Sequence, residues 1–178
     1  VNEALPTGAS SITASSQAFA ALGNDGSVIS WGHPDTGGNS SAVGEQIATD
    51  VVSLTANETA FAALKRDGSV VSWGNAAGGG DSSAVSEQLQ NDVLSLAASD
   101  HAFTALKNDG SLVSWGDADS GGVTPTLLDP GAAGVNEVIA NDRAFAARLA
   151  DGSVISWGDA AAGGDSSAVA DQLQADVV

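Results

Sequence analysis

The sequence predicts an all-β fold with minor short helices: four tandem 42-residue repeats of about three strands each, set as propeller-like blades or as a stacked β-repeat array. Three observations predict it. Trp31, Trp73, Trp115 and Trp157 stand 42 residues apart. Phe19, Phe61, Phe103 and Phe145 keep the same spacing, always 12 residues ahead of the tryptophan. Between them an Asp-Gly pair recurs, at Asp25-Gly26, Asp67-Gly68, Asp109-Gly110 and Asp151-Gly152. Self-similarity at a fixed period is the mark of a repeat architecture. The eight rings are the only aromatics of the chain.

The second repeat shows the elements in order. Val51–Thr55 reads as a first strand and Thr59–Leu64 as a second. In the second, Phe61 and Ala63 share one face while Ala60, Ala62 and Leu64 share the other. A strand apolar on both faces is buried on both, so each unit must stack on its neighbours. Arg66-Asp67-Gly68-Ser69 is a hairpin turn, with the glycine placed where a type I turn plus bulge needs positive φ. Val70–Gly74 is the third strand, because β-branched residues suit a pleated surface. Ala76–Gly80 is a Gly-rich loop. Asp81–Leu89 reads as a short helix, with Val85 and Leu89 four apart on one face and polar oxygens before them for the N-cap.

The 178 residues form one repeat domain, with repeats at about 9–50, 51–92, 93–134 and 135–176. Residues 1–8 read as a strand-like extension and 177–178 as the start of a fifth repeat. The first repeat has Ala9 and Ser10 where the others start on apolar strand residues. Val1 and Leu5 at one end and Val177 and Val178 at the other are therefore the expected assembly residues, since unpaired strand edges need cover. The third repeat diverges over 123–134, where Pro125 and Pro130 oppose a helix. In the fourth, Arg148-Leu149 replaces the Leu64-Lys65 order, and the repeat pattern offers no reason for it.

The net charge is −17, from 22 acidic and 5 basic residues. Phosphate recognition needs clustered Lys and Arg, so no nucleic-acid partner is expected. No apolar stretch is long enough to span a bilayer as a helix. A chain with no cysteine has neither disulfides nor thiolate metal sites.

The run from Ala60 to Gly74, with its core Asp67-Gly68-Ser69-Val70-Val71-Ser72-Trp73-Gly74, resembles the repeat of the regulator of chromosome condensation (RCC1) family. It recurs four times and so covers most of the chain. The resemblance implies blades of the β-propeller kind, and it is closest to acidic, Ala-rich variants found in large bacterial proteins. The family's propellers usually have seven blades of longer repeats, against four short ones here. Its nucleotide-exchange activity on a small GTPase is not implied, because no exchange-loop residue maps onto this chain.

Few residues offer chemistry. His33 and His101 occupy different repeat positions and read as loop residues. The turn aspartates sit where local hydrogen bonding explains them. Asp117 and Asp119 open like a calcium loop but lack the closing acid of an EF-hand, leaving a weak calcium candidate and no other cofactor. Asn39 and Asn57 head glycosylation sequons. The tryptophans read as core anchors rather than sugar platforms. The expected function is thus a non-enzymatic structural repeat protein, extracellular or on a microbial surface, self-assembling head-to-tail into a filament or array. The alternative is an RCC1-like propeller binding module that recognises a protein or carbohydrate through its loops.

Overall fold

The computed structural model describes residues 8–125 and 134–174. Twelve strands lie in those residues, three per repeat: β1 Ala9–Ala14, β2 Ala18–Gly23, β3 Val28–Gly32; β4 Val51–Ala56, β5 Ala60–Lys65, β6 Val70–Gly74; β7 Val93–Ala98, β8 Ala102–Lys107, β9 Leu112–Gly116; and β10 Val135–Ala140, β11 Ala144–Leu149, β12 Val154–Gly158. Each trio forms one antiparallel meander with the middle strand at its centre. The register repeats from sheet to sheet, with Phe61 directly opposite Trp73 and Phe103 opposite Trp115. No helix among the described residues is long and apolar enough to cross a membrane.

The hairpin turns form for the reason their sequence suggests. Gly26, Gly68, Gly110 and Gly152 all have φ between +79° and +86°. Beside them, Asp67 Oδ1 accepts from the Ser69 N–H at 3.0 Å and its hydroxyl at 2.6 Å, and the other three turns repeat the pair. A side chain on Gly68 would also strike the backbone of Asp92, 2.7 Å away. The turn is packed that tightly because Val93 N–H donates to Gly68 O at 3.0 Å and Asn108 N–H to Asp92 O at 2.8 Å. The hairpins at Gly26, Gly68 and Gly110 thereby hook the start of the next repeat.

The sheets stack face to face. Phe61, Ala63, Val71 and Trp73 pack on Ala18, Ala20 and Leu22 of the first sheet. Ala60, Ala62 and Leu64 receive Phe103, Ala105, Val113 and Trp115 of the third. Ala102, Leu106 and Leu112 receive Phe145, Ala147 and Trp157 of the fourth. The first two interfaces thus set a bulky aromatic face against paired alanines, which lets the sheets approach closely, and at the third Thr104 stands in the place of Ala62.

The segment at 81–89 is not an α-helix. It folds as a 3-10 turn, Ser83–Val85, followed by further turns. Leu89 is nonetheless buried and Val85 partly so, because spacing by four suits this winding path as well as a helix. The first repeat keeps its opening strand although Ala9 and Ser10 are poor strand residues. β1 pairs Ala9 with Gly23 and Ser11 with Leu22, the register of β4 and β5. Backbone pairing does not require a branched side chain. Ala9 is nevertheless exposed where Val51, Val93 and Val135 are buried. Val1, Leu5, Val177, Val178 and residues 126–133 of the divergent loop lie outside the described residues.

Candidate functional site

The strongest departure from the repeat lies on the outer face of the first sheet. Phe19 and Trp31 pair in register and stack with centroids 5.6 Å apart, as in every sheet. Yet Phe19 is 46% exposed and Trp31 42%, whereas Phe61, Phe103 and Phe145 are at most 1% and Trp73, Trp115 and Trp157 at most 7%. Ile12 joins them on that face at 63% exposure, while its counterpart Leu54 packs into the core between the first two sheets.

The cover that is missing can be named. At the internal interfaces a Gly-rich loop of the preceding repeat lies over the rings. Trp73 donates its indole N–H to Gly37 O at 3.0 Å, Trp115 to Gly79 O at 2.9 Å and Trp157 to Gly121 O at 3.1 Å. A Cβ on Gly37 or Gly121 would lie 2.5 Å from the phenylalanine ring, and on Gly79 2.7 Å. Gly163 is the fourth member of that series. An ideal Cβ there would meet nothing within 4 Å. Among the described residues the aromatic pair of the first sheet and the Gly163 loop of the fourth thus stand uncovered.

The loops are shaped by the residue before each short turn. Asn75 accepts from Gly78 N–H, Asp159 from Ala161 N–H and His33 Nδ1 from Asp35 N–H. Asp117 belongs to this set: its Oδ2 accepts from Ser120 N–H at 2.9 Å and Ser120 Oγ at 2.7 Å. Asp119 is exposed. The structure thus uses Asp117 as a cap and does not bring it into a group of three metal-binding side chains. Among the described residues that grouping occurs at Glu58, Asp100 and His101, whose ligand atoms lie within 4.8 Å of one another.

Those three residues stand on the turns between first and second strands. Here a backbone ladder joins the repeats: Ser16 N–H donates to Glu58 O at 2.9 Å, Glu58 to Asp100 O at 3.2 Å and Asp100 to Asp142 O at 2.8 Å. The ladder sets carboxylates side by side in a shallow depression of about 420 Å³. Burial, then the neighbouring charges of Glu58 and Asp142, raise the Asp100 pKa above the ordinary aspartate value. His101 Nε2 lies 3.8 Å from Glu58 Oε2. Exposed crowded acids favour a cation or a basic side chain.

One repeating contact escaped the sequence reading. Ser15, Asn57, Ser99 and Asn141 each donate from the side chain to a loop carbonyl 21 residues ahead, at 2.7–2.8 Å. Small polar residues at 42-residue spacing were its signal. Asn57 Nδ2, the atom that would carry a glycan, is the donor to Gly78 O, and the residue is buried. Asn39 is exposed, and its Oδ1 accepts from Ser41 N–H.

The outer face of the fourth sheet explains the Arg148 exchange. Leu22, Leu64 and Leu106 are buried beneath the next sheet, but Arg148 is exposed, and its Nε lies 3.4 Å from Glu137 Oε2. Beside the pair, Ile139, Ala146 and Val154 line an apolar hollow of about 210 Å³.

No family model and no curated protein matches the chain in sequence. Solved structures do match in fold. Yeast RCC1 (Prp20), seen with Kap60 bound, gives a TM-score of 0.60 at 20% identity over 86% of this chain and 45% of that one. Human WBSCR16 gives 0.58 at 20% identity, over 83% and 46%. The CRINKLY WD40 ectodomain of the Arabidopsis thaliana receptor kinase ACR4 gives 0.55 at 19% identity, over 84% and 49%. The chain spans less than half the length of each. The stacked three-stranded sheets, with Phe and Trp paired across each, have the RCC1-like fold.

Proposed function

We propose that this protein is a non-enzymatic binding module and that the Phe19–Trp31 face is where it holds a protein partner. The observation that carries this is the exposure of a stacked aromatic pair that every other sheet buries. Exposed aromatics grouped with an aliphatic neighbour mark interaction surfaces, and tryptophan is the residue whose burial contributes most at such contacts. Proteins of this fold are described as protein binders: Prp20 with Gsp1p and histones, and with Kap60. Those partners are not carried over. The acidic, alanine-rich repeats agree with a bacterial variant acting outside the cell or on its surface.

Peptides selected from a random library against the full chain test the reading. They should bind the wild type and lose binding to Trp31→Ser and Phe19→Ser. Selected peptides that bind both variants as well as the wild type would overturn it. A sugar retained by the wild type and lost in Trp31→Ser would replace the protein partner with a carbohydrate.

A further inference from the structure

We infer that Glu58, Asp100 and His101 form a site for a divalent transition-metal ion of the zinc class, and that the ion ties the second repeat to the third. The site is independent of the Phe19–Trp31 face. Its ligand atoms all lie within 4.8 Å of one another. His101 Nε2 and Glu58 Oε2 are 3.8 Å apart, too far for a hydrogen bond. Two ligands held about 2.1 Å from a tetrahedral ion stand about 3.4 Å from each other. The pair therefore closes on an ion by moving a few tenths of an ångström.

The backbone fixes the two turns that supply these side chains. Asn57 N–H donates to Ala60 O at 3.0 Å and Ser99 N–H to Ala102 O at 3.0 Å, closing each turn. Across the repeats Glu58 N–H donates to Asp100 O at 3.2 Å, and Asp117 N–H holds His101 O at 2.9 Å. An ion has only side chains left to order.

The donor types select the ion. Calcium takes about six to eight oxygen ligands, more than this group offers, and imidazole suits zinc, copper and nickel better. Zinc accepts imidazole nitrogen and carboxylate oxygen in one tetrahedral set, with water as the fourth ligand beside three from the protein. Two carboxylates and a neutral imidazole also balance the charge of a divalent ion. The other repeats show what the imidazole adds. Gln17, Thr59 and Arg143 stand where His101 stands in the third. Arg143 brings a positive charge and pairs with Asp159 at 3.1 Å, so Asp100 and Asp142 gain no third ligand from it. Among the described residues three such donors meet only at Glu58, Asp100 and His101.

Calorimetric titration and thermal unfolding of the full chain, free of any affinity tag and stripped with chelator, test this. The wild type should bind a single Zn2+ and bind it more tightly than Ca2+, and Zn2+ should raise the melting temperature more than Ca2+ does at equal ionic strength. His101→Gln, which installs the residue of the first repeat, and Glu58→Gln should each weaken Zn2+ binding at least about tenfold, since even residues that only orient a ligand are worth that much. His33→Asn, which keeps the cap that Asn75 makes in the second repeat, should bind as the wild type does. Ring resonances of the wild type report on the site without any substitution: Zn2+ should shift those of His101 and leave those of His33. A wild type that holds Zn2+ no more tightly than Ca2+ overturns the inference. So does a folded His101→Gln variant with undiminished Zn2+ binding, or a Zn2+ response centred on His33.

Discussion

Trp73 reaches back 36 residues to donate its indole N–H to the carbonyl of Gly37, and the Phe61 ring beside it lies where a Gly37 side chain would begin. One glycine thus serves the bond and the packing together. An alanine at Gly37 or Gly79 would add backbone strain of about 1–2 kcal/mol and overpacking of about 1–3 kcal/mol. Gly163→Ala has the same positive φ but open space, so only the strain remains. Urea midpoints of the three variants should separate in that order. Equal losses would mean that the rings do not press on these loops.

The tryptophans should divide three to one. Trp73→Ala or Trp115→Ala should cost about 3–5 kcal/mol, as for emptying any large buried aromatic site. Trp31→Ala should cost about 1 kcal/mol, mainly its stacking on Phe19. In dilute protein, acrylamide should quench one red-shifted emission component readily and leave the blue-shifted remainder protected. Uniform quenching of all four would contradict the stacked interfaces.

The repeat, its strands, the positive-φ turns and the buried second strand were legible because each depends on residues within one 42-residue unit. What the sequence hid depends on neighbours. Phe19 has the same strand context as Phe61, and the two differ because the Gly37 loop covers Phe61 and no loop among the described residues covers Phe19. Arg148 looked anomalous because burial at its position depends on a neighbouring sheet, and no described sheet lies over it. The acidic row was unread because Glu58, Asp100 and Asp142 are 42 residues apart and meet only through the inter-repeat ladder. The segment at 81–89 misled for another reason: the spacing of Val85 and Leu89 fits a 3-10 turn with trailing turns as well as a helix.

Acid should weaken the fold through the hairpins. Hydrogen bonds from the serine two residues on hold the carboxyls of Asp25, Asp67, Asp109 and Asp151 below the ordinary aspartate value. A group with a depressed folded pKa contributes stability that is present above its unfolded value, near 3.8, and lost as pH falls through the folded one. Unfolding midpoints should therefore drop on acidification below about pH 4. Ser69→Ala and Ser111→Ala together should flatten that drop. An unchanged slope would show that the turn hydroxyls do not hold the charge.

Asp100 should behave in the opposite sense. Its raised pKa means that the folded chain binds the proton more tightly than the unfolded chain. Its contribution is lost as pH rises through the window above 3.8. Asp100→Asn should therefore stabilise the protein at neutral pH, and the gain should shrink as salt screens Glu58 and Asp142. A destabilised Asp100→Asn at every ionic strength would show that the carboxylate is needed where it stands.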